Sequence, residues 1–265
     1  MVTEQLGHLA EYYAAAEHEA MIREESVSLS QLEQRIDRLP DPASGFIEAL
    51  TATTDVAIIA EHKRQSPSEG EIAAGLSVQQ VVRGYERGGA AAVSVLTQRA
   101  DFGGFIEDLH EARKATDLPL LRKDFISNPY QLYEARAYGA SAVLLIVAGL
   151  SDNRLLDLYE EAHDIGLDCL VEVHDREELQ RALEIGPKLL GINNRNLSTL
   201  AVDLATVPDL LEAVPKTTAV VAESGYTKPE DMRGLRAMKV DAVLVGTAVM
   251  RAANQAKELI RWRSA

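Results

Sequence analysis

The stretch DCLVEVHDREELQRALEIGPKLLGINNRN, residues 168–196, holds a whole strand–helix–strand unit. It opens on an apolar, β-branched run at 168–173 and closes on a second at 189–193. Between them, Asp175 and Glu178 have the spacing of a capping box, which marks a helix start. Gly186, in EIGPK, stands where such a helix ends. Near-continuous hydrophobicity in both runs predicts strands covered on two faces, as in a parallel sheet.

The same unit recurs along the chain. Comparable runs lie at 56–60, 91–96, 118–122, 142–147, 219–224 and 242–246, which with the first two makes eight candidate strands. Their spacing of roughly 20–35 residues suits strand–helix units. Ser77 with Gln80 and Thr227 with Glu230 repeat the capping-box spacing, and Pro129 and Pro229 suit first helical turns. ERGGA, AYGA and DIGLD end further helices in glycine. Eight units without a linker-like break predict a closed (β/α)8 TIM barrel, one domain spanning 1–265. Pattern alone also admits an open doubly wound sheet, but the GxGxxG and GxxxxGK[ST] signatures common there are absent. Roughly residues 1–48 fall outside the repeat and read as an N-terminal helical extension. Its one or two helices either plug the bottom of the barrel or cover its top.

Composition narrows the function. The chain has 265 residues and 46% hydrophobic content, enough for a sizeable core. No apolar run approaches the roughly 18 residues that span a bilayer, so no membrane role is expected. The acidic, helical start lacks the basic beginning and apolar centre of a signal peptide, which predicts a soluble cytoplasmic protein. A net charge of −14 with no basic stripe argues against nucleic acid as a partner. Arg outnumbers Lys by 19 to 8, and an acidic, Lys-poor surface suits work at high salt, where charge repulsion is screened. The single Cys169 excludes an internal disulfide framework and reads as a buried strand residue.

In barrels of this kind the active site forms at the C-terminal strand ends. That rule selects Glu61, Lys63 and the Ser66-Pro67-Ser68 turn after the first strand, and Phe102 after the second. It selects the cluster from Arg122 through Lys123 and Asp124 to Phe125 after the third, and Glu172 after the fifth. Asn193 and Arg195 follow the sixth, Ser224 and Gly225 the seventh, Gly246 and Thr247 the eighth. Strand alternation places Glu61 and Lys63 on one face with Ile59, and His62 on the other; Lys123 shares a face with Leu121, and Glu172 with Leu170.

Each charge also has a plainer reading. Glu61 and Lys63 alone suit a rim ion pair, and the charges around Lys123 a solvated rim. Glu172 is harder to place so, because it interrupts CLVEV and is costly to bury unpaired. Two lysines and two glutamates converging from three strands supply a general acid and a general base. The small residues after the last two strands suit the phosphate site common in this fold. Arg195 is placed to clamp a second anion such as a carboxylate. Pro67, Phe102, Phe125 and Leu144 offer an apolar wall for an aromatic ring. His62 and His174 read as barrel-periphery or loop residues with no metal-binding pattern, and Trp262 as a packing anchor.

Several motifs carry a family resemblance. AEHKRQSPSEG, LLRKDFISNPYQLYEARAYGASAVLLIVAGLS, LVEVHDREELQRALEIGPKLLGINNRNL and ESGYTKPEDMRGLRAMKVDAVLVGTAVMR closely resemble the indole-3-glycerol phosphate synthase family, over about residues 46–252. The resemblance implies a carboxy-lyase of tryptophan biosynthesis. Its substrate is 1-(2-carboxyphenylamino)-1-deoxyribulose 5-phosphate, which closes to indole-3-glycerol phosphate with loss of carbon dioxide and water. Lys123 is then the general acid at the ketone oxygen and Glu172 the partner acid/base in dehydration. Glu61, Lys63 and Asn193 orient the reacting groups, and Arg195 holds the carboxylate. Ser66, Ser224, Gly225, Gly246 and Thr247 surround the phosphate or sugar chain, while Phe102, Phe125, Pro67 and Leu144 enclose the ring. Neither chemical step needs a redox cofactor or a metal. The implied partner is a phosphorylated small molecule, with the chain a monomer or weak homo-oligomer. Thr247 stands where family members often carry Ser or Glu, and Tyr226 where an aliphatic residue is common. The N-terminal extension matches loosely, so no substrate contact is assigned there, although a partial cover over the active-site mouth is implied.

Two other readings compete. A phosphoribosylanthranilate isomerase-like barrel would use a Cys/Asp acid–base pair, but Cys169 begins its strand, at the wrong end. A catalytically silent barrel subunit of a biosynthetic complex has no need of the charges at Lys123 and Glu172.

Overall fold

The structure is a computed structural model and describes residues 7–39, 45–67, 69–72 and 75–265. Three helices come first: α1 (His8–Ser26), α2 (Leu29–Ile36) and α3 (Phe46–Thr51). Eight barrel strands follow, β1 (Ala57–His62), β2 (Ala92–Leu96), β3 (Leu120–Lys123), β4 (Ala142–Ile146), β5 (Asp168–Val173), β6 (Leu189–Asn193), β7 (Ala219–Glu223) and β8 (Ala242–Val245). They form a closed barrel in the order β1-β8-β7-β6-β5-β4-β3-β2. All neighbours are parallel, and Ile59 opposite Ala92 and Ala57 opposite Ala242 seal the ring through β1. The expected (β/α)8 architecture is therefore the observed one, and the open sheet is not.

Local chemistry explains most element boundaries. Ser77 and Gln80 form a reciprocal capping box at the start of α4 (Val78–Gly88). After α5 (Glu107–Arg113), Asn128 caps α6 (Pro129–Ala137), whose first residue is Pro129, and α7 (Asp152–Asp164) follows β4. Gly89, Gly139, Gly166 and Gly186 all take positive φ where helices end. Two expectations need correction. The third strand starts at Leu120 because Pro119 has no N–H for the ladder, although its carbonyl still accepts from Val93 N at 3.0 Å. The Thr227–Glu230 box does not form; Asp231 instead accepts from Thr227 N at 2.8 Å and Lys228 N at 3.1 Å.

The N-terminal helices take both positions open to them. At the bottom, α3 buries Phe46 and Leu50, and Ile47 N donates to Asp168 Oδ2 at 3.1 Å, where β5 begins. At the top, α1 buries Tyr12 and Tyr13, and the Tyr13 hydroxyl donates to Ile146 O at 3.4 Å, where β4 ends. The spacing of Leu9, Tyr12, Tyr13, Ala16 and Ala20 puts one helical face on the barrel. Helix α2 packs against α6, with Leu32, Ala20 and Tyr130 forming a small cluster of their own.

Arg122 departs from the solvated rim expected around Lys123, for it is wholly buried. Its neighbour Lys123 faces the barrel axis, so Arg122 faces the helices. There its Nη2 lies 2.9 Å from Asp124 Oδ2 and its Nη1 3.1 Å from Glu134 Oε2. Arg23 of α1 holds the other oxygen of Glu134 at 2.5 Å, tying the N-terminal helix to the strand that carries Lys123. Truncating one member of such a network leaves a buried charge uncompensated. Arg122→Ala is expected to destabilise the fold by about 3–5 kcal/mol in urea unfolding. A loss below about 1 kcal/mol, typical of exposed pairs, would show that the network contributes little.

Candidate active site

Strand alternation builds the site. The residues pointing up the barrel axis pair as Ile59 with Glu61, Leu121 with Lys123, Leu170 with Glu172, Gly191 with Asn193, and Val221 with Glu223. The lower member of each pair is apolar or glycine, and the upper one opens into a cavity of about 590 Å³ at the C-terminal strand ends. The cavity wall includes Glu61, Lys63, Ser66, Pro67, Phe102, Lys123, Phe125, Leu144, Glu172, Asn193, Arg195, Ser224, Gly225, Gly246 and Thr247. The residues selected from the sequence are thus brought together in one chamber. Ser68 lies outside the described residues.

The charges form two groups. Lys63 Nζ sits 2.8 Å from Glu61 Oε1, a pair on one side of the chamber. In the second group, Lys123 Nζ lies 3.1 Å from Glu172 Oε2 and 3.3 Å from Glu223 Oε2. Burial would push the Lys123 ammonium down, but Glu172, Glu223 and Glu61 outweigh it and hold its pKa above the ordinary lysine value. Burial likewise favours a neutral Glu172, yet Lys123 and His174 keep its carboxyl below the usual range. Glu223 goes the other way: burial first, then the Glu172 charge, push it up to about 8 against the pull of Lys123. Burial and the Glu172 charge thus favour the protonated form of Glu223, and the two carboxyl groups titrate as a coupled pair.

Two glycines make room for these groups. A Cβ at Gly191 would meet Glu223 Oε1 at 2.2 Å, and one at Gly246 would meet Glu61 Oε1 at 2.4 Å and Lys63 Nζ at 3.1 Å. Gly246→Ala should therefore displace the Glu61–Lys63 pair. A misplacement near 1 Å lowers rates on the order of 10²-fold, which steady-state kcat/KM would read. A variant within about twofold of wild type would show that the pair tolerates movement.

The rest of the wall is apolar or anion-binding in character. Phe102 and Phe125 lie 6.2 Å apart, and Tyr12 of α1 packs on them at 5.9 and 5.0 Å. Arg195, on the cavity wall, donates from Nη1 to Leu200 O at 3.0 Å. Asn193 Oδ1 accepts from Arg195 N at 2.9 Å. The Ser66 hydroxyl is buried with no hydrogen-bond partner among the described residues. Ser224 and Gly225 both take positive φ, and Asn194 Nδ2 steadies the turn through Ser224 O at 3.0 Å.

Several residues were not anticipated from the sequence. Glu223 completes the cage around Lys123, and its signal was the same as that of Glu172, a carboxylate sharing a strand face with an apolar residue. Tyr12 comes from the helical extension, to which no contact had been assigned. Arg251 and Glu69, ion-paired at 2.8 Å, also line the cavity. His174 is not an idle loop residue, because its ring touches Glu172. His62, by contrast, is buried behind β1 and absent from the cavity wall, as expected. Among the described residues no helix is long and apolar enough to cross a membrane.

The sequence model of the family described as indole-3-glycerol phosphate synthase matches residues 9–261. The chain belongs to the indole-3-glycerol phosphate synthase family. A synthase of that name from Parafrankia sp. is 47% identical over 229 residues, covering 86% of this chain and 85% of the relative. One from Azospirillum brasilense is 48% identical over 217 residues, covering 81% and 83%. The likeness to the solved 3-hexulose-6-phosphate synthase from Salmonella typhimurium is one of fold alone: TM-score 0.61, 12% identity, 79% of this chain and 97% of that one. Membership of the synthase family does not favour the isomerase-like or silent-subunit readings.

Proposed function

We propose that the chain closes, decarboxylates and dehydrates 1-(2-carboxyphenylamino)-1-deoxyribulose 5-phosphate to indole-3-glycerol phosphate, the carboxy-lyase step of tryptophan biosynthesis. The observation that carries this reading is Lys123, a half-buried ammonium caged by Glu172 and Glu223 and facing an aromatic wall.

In the first step the ring carbon bearing the carboxylate attacks the ketone carbon. Negative charge grows on the ketone oxygen, and Lys123 donates its proton there. Carbon dioxide then leaves with the bond that joined it to the ring, and its electrons restore aromaticity. In the second step the new hydroxyl departs as water while a proton is lost from the neighbouring carbon. Glu172, held as a carboxylate, is the base, and the proton on Glu223 is available for the leaving hydroxyl. Glu61, Lys63 and Asn193 orient the reacting hydroxyl and carboxylate groups.

Binding follows from the same wall. Phe102, Phe125, Leu144, Pro67 and Tyr12 enclose the aromatic ring, and Arg195 faces the carboxylate until it departs. Ser66, Ser224, Gly225, Gly246 and Thr247 surround the phosphate, with Arg251 at the edge of that end. The reading takes the chain as one cytoplasmic domain, monomeric or weakly associated, with α1 as a partial cover. It is tested by incubating the purified protein with this substrate and following indole fluorescence. Absence of product from low salt to molar salt would defeat it.

A further inference from the structure

We propose that His174 is a positioning residue for the reaction: bracketed by Glu178 and Glu172, it locks the Glu172 carboxylate in place against Lys123. The inference rests on the reaction proposed above, in which Glu172 works as a base.

The observation is a continuous chain of alternating charges running out of the chamber. His174 Nε2 lies 3.2 Å from Glu172 Oε1, the oxygen that Lys123 does not use, since Lys123 sits 3.1 Å from Oε2. On the far side of the ring, His174 Nδ1 lies 2.9 Å from Glu178 Oε2. The same Glu178 oxygen accepts from the backbone N of His174 at 2.8 Å, so the carboxylate grips both ring and main chain. This grip explains a missing capping interaction. Asp175 accepts from Glu178 N at 2.9 Å, as a cap should, but the Glu178 side chain turns back to His174 instead of returning to Asp175. Helix α8 (Arg176–Glu184) thus begins with a residue committed to the active site.

His174 Nδ1 is hydrogen-bonded to Glu178 and its Nε2 lies within ion-pair distance of Glu172 without a hydrogen-bond alignment, and a positive charge on the ring attracts both carboxylates. Burial pushes the ring down, but Glu172 and Glu178 reverse the effect and raise it to about 10. The ionisable groups around it come from five elements. They are Glu172 of β5, Glu178 of α8, Lys123 of β3 and Glu223 of β7 beyond Glu172, and the Tyr13 phenol of α1, which feels both Glu172 and Glu178. Arg181, also on α8, is engaged elsewhere, with Asp152 and the Val147 carbonyl. His174 is therefore the one cation on the outer oxygen of Glu172 among the described residues.

The physical consequence is a division of labour. A carboxylate held by cations on both oxygens is fixed in rotamer and in charge, so it accepts a proton in the transition state without first reorienting. Removing the imidazolium frees one oxygen and raises the Glu172 pKa, because a neighbouring positive charge is lost.

The test compares the pH dependence of kcat/KM for wild type, His174→Gln and Glu178→Gln. In His174→Gln the acidic limb is expected to move up by about one pH unit or more, which lowers kcat/KM roughly tenfold at pH values on that limb, with KM on the plateau within about threefold of wild type. Glu178→Gln should move the limb the same way by a smaller amount. A merely structural role would lower the active fraction at every pH and leave the limb where it was. In parallel, ¹⁵N-histidine NMR of the wild-type enzyme should show His174 still protonated at pH 8. A limb unmoved in folded His174→Gln, or a His174 ring titrating near the ordinary value of about 6.5, would overturn the proposal. If the wild-type enzyme makes no product, the proposed reaction fails instead, and the NMR titration still decides whether His174 is held as an imidazolium.

Discussion

Lys123→Ala is expected to lose kcat by a factor on the order of 10²–10⁴ while the protein stays folded. The lysine enters from the end of β3, and two buried carboxylates hold it as an ammonium. The other lysine of the cavity wall, Lys63, is committed to Glu61 at 2.8 Å. Removing the ammonium leaves the ketone oxygen without its donor and leaves Glu172 and Glu223 facing each other. KM should change much less than kcat, because the aromatic wall and the phosphate-binding turns remain. The fold is less sensitive, since the methylenes of Lys123 line a cavity and not the packed core. Steady-state kinetics beside a thermal melt separate these effects. Turnover within about tenfold of wild type would remove Lys123 from its role as acid.

Glu172→Gln is expected to cost a similar factor, on the order of 10²–10⁴ in kcat, with an additional change in the pH profile. Glutamine keeps the shape and cannot act as a base. The sign of the second effect follows from the coupling between the two carboxyl groups. The Glu172 charge helps to raise Glu223, so its removal lowers the Glu223 pKa from about 8. Glu223 then gives up its proton at lower pH, and any alkaline limb that depends on that proton moves toward acid. Lys123 loses a partner at the same time, so its pKa falls as well. Near-normal turnover, or an alkaline limb that moves up, would refute the assignment.

The barrel was legible because its strands are covered on both faces, so each appears as an uninterrupted apolar run bounded by a helix cap and a glycine. The site was legible where a charge breaks such a run at its C-terminal end, as Glu172 does within CLVEV. Glu223 obeys the same rule, but it stands last in AVVAE, where any polar residue can end a strand. Arg122 was misjudged for a different reason. Parity turns it outward, but whether outward means water or a buried network depends on Glu134 and Arg23, which are distant in sequence. Tyr12 and His174 fall in the same class. The spacing on α1 shows which face is buried without showing what it is buried against, and the partners of His174 follow from the capping residue Glu178 turning back.

The measurement that tests the central claim most directly is the mass of the product together with the carbon dioxide released from the carboxyphenylamino-deoxyribulose phosphate. The chamber described here predicts one carbon dioxide and one water lost for each molecule of indole-3-glycerol phosphate, with both losses collapsing together in Lys123→Ala. A product of unchanged mass, the signature of isomerisation, or a substrate consumed with its carboxyl group retained, would contradict it.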